Sequence, residues 1–479
     1  MVSSDQLNSS ASATSNRPAL LWEALIPVVT LIVMIYVSVV RFDASAHIAL
    51  ILAAAVASGV GLWIGYSWKE IEKGLVDGIA IGLKAILILL VVGMLIATWI
   101  QSGIVPVMIY YGLKLLSPGI FLAAACLICC IVSVSTGSSW TTAGTVGVAL
   151  IGVGEGLGFS LPIVAGAIIS GSYVGDKMSP LSDTTNLAPA VAGSDLFEHV
   201  RYMLHTTIPA LVIALVVYLL IGRGAAGESS IDTVQAIRAA ISSNFNLSLL
   251  LLAPPLLVIG MVVLKLPSLP SLLAGTLIGG VFAGIVQGSS VMEISAVAFD
   301  GYSASTGNAA VDELLSRGGL MSMMNTVALV IVALGFGGVM ERTGQLAALA
   351  EAVLRFAHNT GSLVAATVFT CFGMNVVAPD QYLSLVVPGR MYRDAYARAG
   401  LHPKLLSRTL EDAGTLSSPL IGWNTCGAFM SGTLGVSAIA YAPYAFVNLL
   451  CPVFAILIAS FGWGIVRTKP ARAQTHTQA

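Results

Sequence analysis

The sequence predicts an all-α polytopic membrane protein made of two inverted repeats, with about ten spanning helices, two re-entrant hairpins and broken helices. Three observations lead there. Only 9% of the 479 residues are charged and 57% are hydrophobic, where a soluble domain carries roughly 25% charge; so few ions cannot cover a water-facing body of this size. Apolar runs near the roughly 20 residues that a spanning helix needs recur along the chain. The same succession of helix breaks occurs twice, about half the chain apart.

Residues 1–19 are polar and Ser-rich and read as a disordered tail. The run at 21–40 is too long for a signal-peptide core and lacks a small-residue cleavage site, so it reads as a retained first span. Further spans are expected at 46–66, 79–101, 205–222, 247–264, 268–287, 320–340 and 442–466. The first repeat covers 20–223, a loop 224–246 follows, the second repeat covers 247–466, and 467–479 forms a basic C-terminal tail. Gly103 and Gly344 end matching helices 241 residues apart, and Gly119 and Gly361 open matching segments 242 apart. The triplets Ser179-Pro180-Leu181 and Ser418-Pro419-Leu420 stand 239 apart.

Lys and Arg orient the halves, because cytoplasmic loops hold the excess. The loop expected at 389–408 carries Arg390, Arg393, Arg398, Lys404 and Arg408, and its partner at 148–160 carries none. The two therefore face opposite sides, and each half crosses an odd number of times. Five crossings per half work if 104–116 and 345–357 lie along the interface; Glu351 and Arg355 suit such a helix. Of the 22 Lys and Arg, this places fifteen inside, five outside, and Lys84 and Lys177 in the membrane, with both termini cytoplasmic. A twelve-crossing parallel arrangement is the alternative.

Composition also excludes functions. A net charge of −1 offers nucleic acid no basic field, and five of the six cysteines lie in apolar runs, unlike a secreted disulfide scaffold. Cys126, Cys129 and Cys130 have a metal-like spacing but no nearby His, and read as packing. No His-Glu-x-x-His, Gly-x-Ser-x-Gly or Walker A lysine loop is present, so peptidase, esterase and ATPase chemistries lack their parts.

Within lipid, irregular backbone survives only where protein buries it or where it lines a wet cavity. The breaks are thus the candidate sites. The first is a hydroxyl-rich hairpin tip at 134–139, with Ser135, Thr136 and Ser138, and its counterpart is expected at 372–375, with Asn375. The second interrupts the helix that follows: 175–186 carries Asp176, Lys177, Ser182, Asp183, Thr184, Thr185 and Asn186 around Pro180, which frees carbonyls that can coordinate a cation. Its counterpart at 417–425 has Asn424 and Thr425 but no carboxylate. Hydroxyls, amides and carboxylates suit a hard cation such as Na⁺, and a desolvated carboxylate can hold H⁺ instead. Structural readings compete: hydroxyls that bond the preceding turn, Asp183 as a helix cap, Asp176 paired with Lys177, and Lys84 snorkelling or paired. Asp183 ranks ahead of Asp176, because a Lys177 charge beside Asp176 would hold it ionised.

The run GDKMSPLSDTTNLAP at 175–189, the STGSS tip at 135–139 and EDAGT at 411–415 resemble the NhaC-type sodium/proton antiporter family of the ion transporter superfamily, and the resemblance extends over roughly 21–466. It implies inverted repeats with a hairpin tip and an unwound helix in each, interfacial helices before the hairpins, and a homodimeric elevator. Ion binding would fall on Asp176, Asp183, Thr184, Thr185 and Asn186, with Asn424 and Thr425 added from the second half. The function expected is Na⁺/H⁺ exchange across the plasma (bacterial inner) membrane by alternating access, with the bilayer and small ions as partners, and no cofactor besides the transported ions. The alternative is a sodium- or proton-coupled exchanger of organic acids, such as malate and lactate, or of amino acids. A membrane-embedded enzyme is more distant.

Overall fold

A computed structural model describes residues 17–42, 45–225 and 231–468. The expected tails at 1–19 and 467–479 lie almost wholly outside the described residues. Among the described residues the structure is helical, with one antiparallel bridge between Leu401 and Arg467. The first half runs α1 (Leu21–Ile35), α2 (Ala46–Ile64), α3 (Trp68–Ile81), α4 (Leu83–Gln101), α5 (Ile104–Leu115), α6 (Pro118–Thr136), α7 (Ser139–Thr142), α8 (Val148–Gly156), α9 (Leu161–Met178), α10 (Asp183–Ala192) and α11 (Leu196–Ala225). After α12 (Ile231–Asn244) come α13 (Ala253–Val263), α14 (Ser268–Gln287), α15 (Val291–Asp300), α16 (Ala309–Leu315), α17 (Met324–Arg342), α18 (Gln345–Leu354), α19 (Thr360–Val377), α20 (Gln381–Arg398), α21 (Pro403–Leu410), α22 (Thr425–Leu434), α23 (Ala438–Tyr441) and α24 (Phe446–Ser460).

Eight of these helices are long and apolar enough to cross a membrane, and ten spans result if each of two bent pairs counts as one. The short helices α5 and α18 stand where interfacial segments are expected. Starting signals recur at one spacing. The N-caps Ser117 and Asn359, Ser138 and Asp380, Ser160 and His402, and Ser182 and Asn424 form four pairs, each 242 residues apart and each with extended backbone. An N-cap leaves the helix while its carbonyl already accepts the first helical bond, so these pairs mark equivalent turns.

Five expectations need correction. The segment 224–246 is not all loop: α12 forms there because Ile237 and Ile241, one turn apart, are both buried. The basic stretch 389–408 is the end of α20 followed by α21, since Pro388 is carried within α20. Arg408 is fully buried and not a loop charge. The second hairpin tip is not at 372–375: α19 continues through Asn375 to Val377, and the chain breaks at Ala378-Pro379-Asp380. Pro379 disfavours helical geometry at the residue before it, and Ala378 accordingly sits at φ −115°, ψ 82°. Finally, 79–101 and 442–466 are not single straight spans, being interrupted at Gly82 and bent by 59° before α24.

Glycines set the closest crossings. A Cβ added to Gly171 or Gly175 of α9 would lie 2.0 Å from the Cys126 carbonyl oxygen or 2.2 Å from the Ser133 carbonyl carbon, so α6 and α9 touch backbone to backbone. Between the halves, α4 packs on α14, while α17 packs on α3 and α2. Gly74 and Gly78 of α3 meet Gly338 of α17 at distances no larger residue permits.

Candidate functional site

The two hairpin tips and the two helix breaks border one cavity of about 900 Å³. In the first hairpin, α6 ends at Gly137 with φ +70°, a conformation costly for residues with a Cβ. A Cβ there would also lie 2.7 Å from the Leu181 backbone, so the tip rests directly on the first break. Ser138 then starts α7 by accepting the Thr141 N–H at 3.1 Å. The second half repeats this contact in its own way: the Thr425 N–H donates to the Pro379 carbonyl at 3.0 Å, joining the second tip to the second break. Trp140 of the first hairpin stacks on Phe429 of α22, ring centroids 4.1 Å apart.

Two buried carboxylates line this cavity. Asp176, on the last turn of α9, accepts from Ser139 Oγ at 2.6 Å and from Ser182 Oγ at 2.7 Å. Asp380 caps α20, accepting the backbone N–H groups of Tyr382 and Leu383 at 2.9 and 3.1 Å. Their exposures are 8% and 4%, and neither has a cationic side chain within ion-pair distance among the described residues. A buried negative charge without a cationic partner is costly. Two such groups in one cavity make it the candidate site for a small cation or protons.

Of the residues expected from sequence, Thr136, Ser138, Asp176, Asp183, Thr184, Asn186 and Thr425 line the cavity. Ser182 reaches it through its bond to Asp176. Ser135 bonds the Ile131 carbonyl on the preceding turn and lies outside. Thr185 donates to the carbonyls of Asp176 and Lys177, each at 2.8 Å, and Asn186 donates to those of Pro180 and Ser182 at 2.8 and 2.7 Å. Carbonyls expected to be free are thus already engaged in closing the break. Asn375 donates to the Gly414 carbonyl and to Ser417, and accepts from Asn424 at 2.9 Å; this pair braces α19 against the second break, outside the cavity lining.

An ion pair between Asp176 and Lys177, the competing structural reading, does not form. Successive helical residues point about 100° apart, and Lys177 instead pairs with Asp412 while Asp176 faces the cavity. Asp183 is the carboxylate with a cation: Lys84 stands 3.2 Å away, both side chains more than half exposed, and the Tyr382 hydroxyl donates to it at 3.3 Å. Ser182, not Asp183, is the cap of α10. Asp380, Ser139 and Tyr382 had no place among the expected site residues. Asp380 was detectable, since Asp is a favoured N-cap, Pro379 before it disfavours helix at Ala378, and it lies 242 residues beyond Ser138.

A profile of the Na⁺/H⁺ antiporter family matches residues 9–185 and 171–463. The chain is 44% identical to the Na⁺/H⁺ antiporter NhaC of Alkalihalophilus pseudofirmus, covering 88% of this chain and 91% of that protein. It is 41% identical to NhaC of Bacillus subtilis, over 86% of this chain and 91% of the relative. It is 38% identical to the malate-2H⁺/Na⁺-lactate antiporter of the same organism, over 94% and 96%. With a family profile and curated relatives both spanning most of its length, and an all-helical fold of membrane-crossing helices, the chain belongs to the Na⁺/H⁺ antiporter family.

Proposed function

We propose that the protein is a secondary transporter of the plasma membrane that exchanges Na⁺ for H⁺ by alternating access, with Asp176 as the carboxylate that both ions share. The observation that supports this is the convergence of both tips and both breaks on one cavity holding two buried carboxylates without cationic partners. Asp176, Ser139 and Ser182 supply hard oxygen ligands for Na⁺, and Asp380 and Thr425 of the same cavity lining supply more. Protonation of Asp176 removes the charged ligand, so Na⁺ and H⁺ exclude one another. Apparent Na⁺ affinity should accordingly fall as pH drops. The recurrent N-cap spacing supports two repeats, and the uneven distribution of Lys and Arg favours their opposite orientation with both termini cytoplasmic.

A second reading has its own support. A cavity of about 900 Å³ exceeds what Na⁺ requires, and Lys84 stands on its wall; a small organic anion fits both. Proteoliposomes separate the two. The proposal expects an imposed Na⁺ gradient to move protons without any organic solute. Proton movement that requires malate, lactate or a basic amino acid, with uptake of the radiolabelled compound, would replace it with the organic-substrate exchanger.

A further inference from the structure

A second cavity, of about 510 Å³, shares two helices with the main one. On α4, Lys84 and Ile88 line the main cavity and Ile96 lines the second. On α22, Thr425 and Cys426 line the main cavity, and Gly432 and Thr433 line the second. At 1.5 Å per residue, the two linings stand about 12 Å apart along α4 and about 9 Å apart along α22. Because α4 is long and apolar enough to cross a membrane, the two cavities lie toward opposite ends of a spanning helix.

The layer between them is apolar and tightly packed. Phe429, fully buried, stands midway between Cys426 and Gly432 on α22, and its ring stacks on Trp140 of the first hairpin, with centroids 4.1 Å apart. Trp140 itself forms part of the main cavity's wall. On α4 the intervening Leu89, Val92 and Leu95 are fully buried. A Cβ added to Gly93, in the same stretch, would lie 2.5 Å from the Gly319 carbonyl oxygen. A bare cation is costly in such a layer, and a hydrated one finds no space there.

The second cavity has the chemistry of a cation site. Asp300 and Glu313 line it together with Arg317, which stands 4.0 Å from a further carboxylate, Glu155. Three acids and one base leave this region net negative, which favours cations. Thr433 on its wall is 2% exposed, and its hydroxyl has no hydrogen-bond partner among the described residues. A helical threonine ordinarily bonds the preceding turn, as Thr98 and Thr145 do; the Thr433 oxygen is instead left to serve as a ligand for a hard cation. We propose that this second cavity is the port through which the exchange path reaches the opposite face, taking a small cation such as Na⁺, and that the Trp140–Phe429 stack is the barrier between the two ports. The inference deepens the exchange reading and rests on the main cavity as the ion site.

Single cysteines at Leu266, on the main cavity's wall, and at Thr433 test both parts in oriented proteoliposomes, with membrane-impermeant charged thiol reagents added to either face. The parent chain, whose six native cysteines are buried, is the blank. Leu266→Cys should react from one face and Thr433→Cys only from the other, faster with a positively than with a negatively charged reagent. Adding Phe429→Ala should make Thr433→Cys reactive from both faces. Phe429→Ala alone should raise the Na⁺ moved per H⁺ above the wild-type ratio, as Na⁺ leaks past the lost stack. Should that variant not fold, Trp140→Leu removes the stack from its half-buried partner. Thr433→Cys that reacts from the face of Leu266→Cys, or from neither, overturns the port, and a preference for the negative reagent overturns its cation chemistry. Unchanged reach and unchanged ratio without the stack overturn the barrier. Labelling as expected in a wild type that moves no protons with Na⁺ would sink the exchange reading and leave the two ports standing.

Discussion

Asp176 and Asp183 stand seven residues apart in one motif, and the helix break between them gives them opposite surroundings. Asp183 begins α10 in a half-exposed ion pair with Lys84, an arrangement that contributes roughly 0–1 kcal/mol. Asp183→Asn is therefore expected to cost less than about fivefold in exchange rate, measured as Na⁺-driven pH change in proteoliposomes. A complete loss would return Asp183 to the centre of the mechanism. Ser139→Ala removes a hydrogen bond to a buried carboxylate, worth roughly 1.5–3 kcal/mol, and apparent Na⁺ affinity should weaken about tenfold or more. Unchanged Na⁺ dependence would remove Ser139 from the site. The motif was legible from its ionisable and hydroxyl groups around Pro180, but the surroundings of its two carboxylates were not. Adjacency in sequence suggested that Lys177 neutralises Asp176, and only the helical rotation between consecutive residues separates them. The charges that Lys177 and Asp183 do meet, Asp412 and Lys84, come from 235 and 99 residues away.

At the scale of elements, the two hairpins show how local chemistry can mislead. Phe372-Gly373-Met374-Asn375 looks like a turn, yet α19 runs through it, because Asn375 spends its side chain on the Gly414 carbonyl and Ser417 across the packing interface. The true break follows from Pro379 and the capping carboxylate of Asp380. A pair of substitutions separates the two placements. Gly373 has nothing within 4 Å of an added Cβ, and Gly373→Ala should be neutral or stabilise by up to about 1 kcal/mol through helix propensity. Gly137→Ala, at positive φ and against the Leu181 backbone, should cost about 1–3 kcal/mol and loosen the tip from the break. Thermal denaturation in detergent, followed by Na⁺ affinity on the folded fraction, checks both. Equal behaviour of the two variants would mean that the Gly137 contact is not what holds the first tip.

For the whole molecule, three landmarks in the sequence were enough to suggest a duplication, and the four pairs of N-caps carry the same spacing into the structure. How the halves interlock was not legible, since α17 reaches α3 through glycine contacts between residues some 260 apart, Gly78 and Gly338. The proposed opposite orientation of the halves has a direct consequence for Ser160 and Arg398, exposed residues just before α9 and at the end of α20. Cysteines placed at these positions should react with an impermeant thiol reagent from opposite sides of the membrane; the six native cysteines are buried and stay silent. Labelling of both from one side would favour the parallel arrangement. The exchange mechanism itself meets its sharpest test in Asp176→Asn, reconstituted into proteoliposomes beside the wild type. Loss of a buried charged ligand costs about 2–5 kcal/mol, so Na⁺-driven proton flux should vanish into the leak while the protein remains folded and inserted. Flux at the wild-type rate, with its pH dependence intact, would show that Asp176 is not where Na⁺ and H⁺ compete.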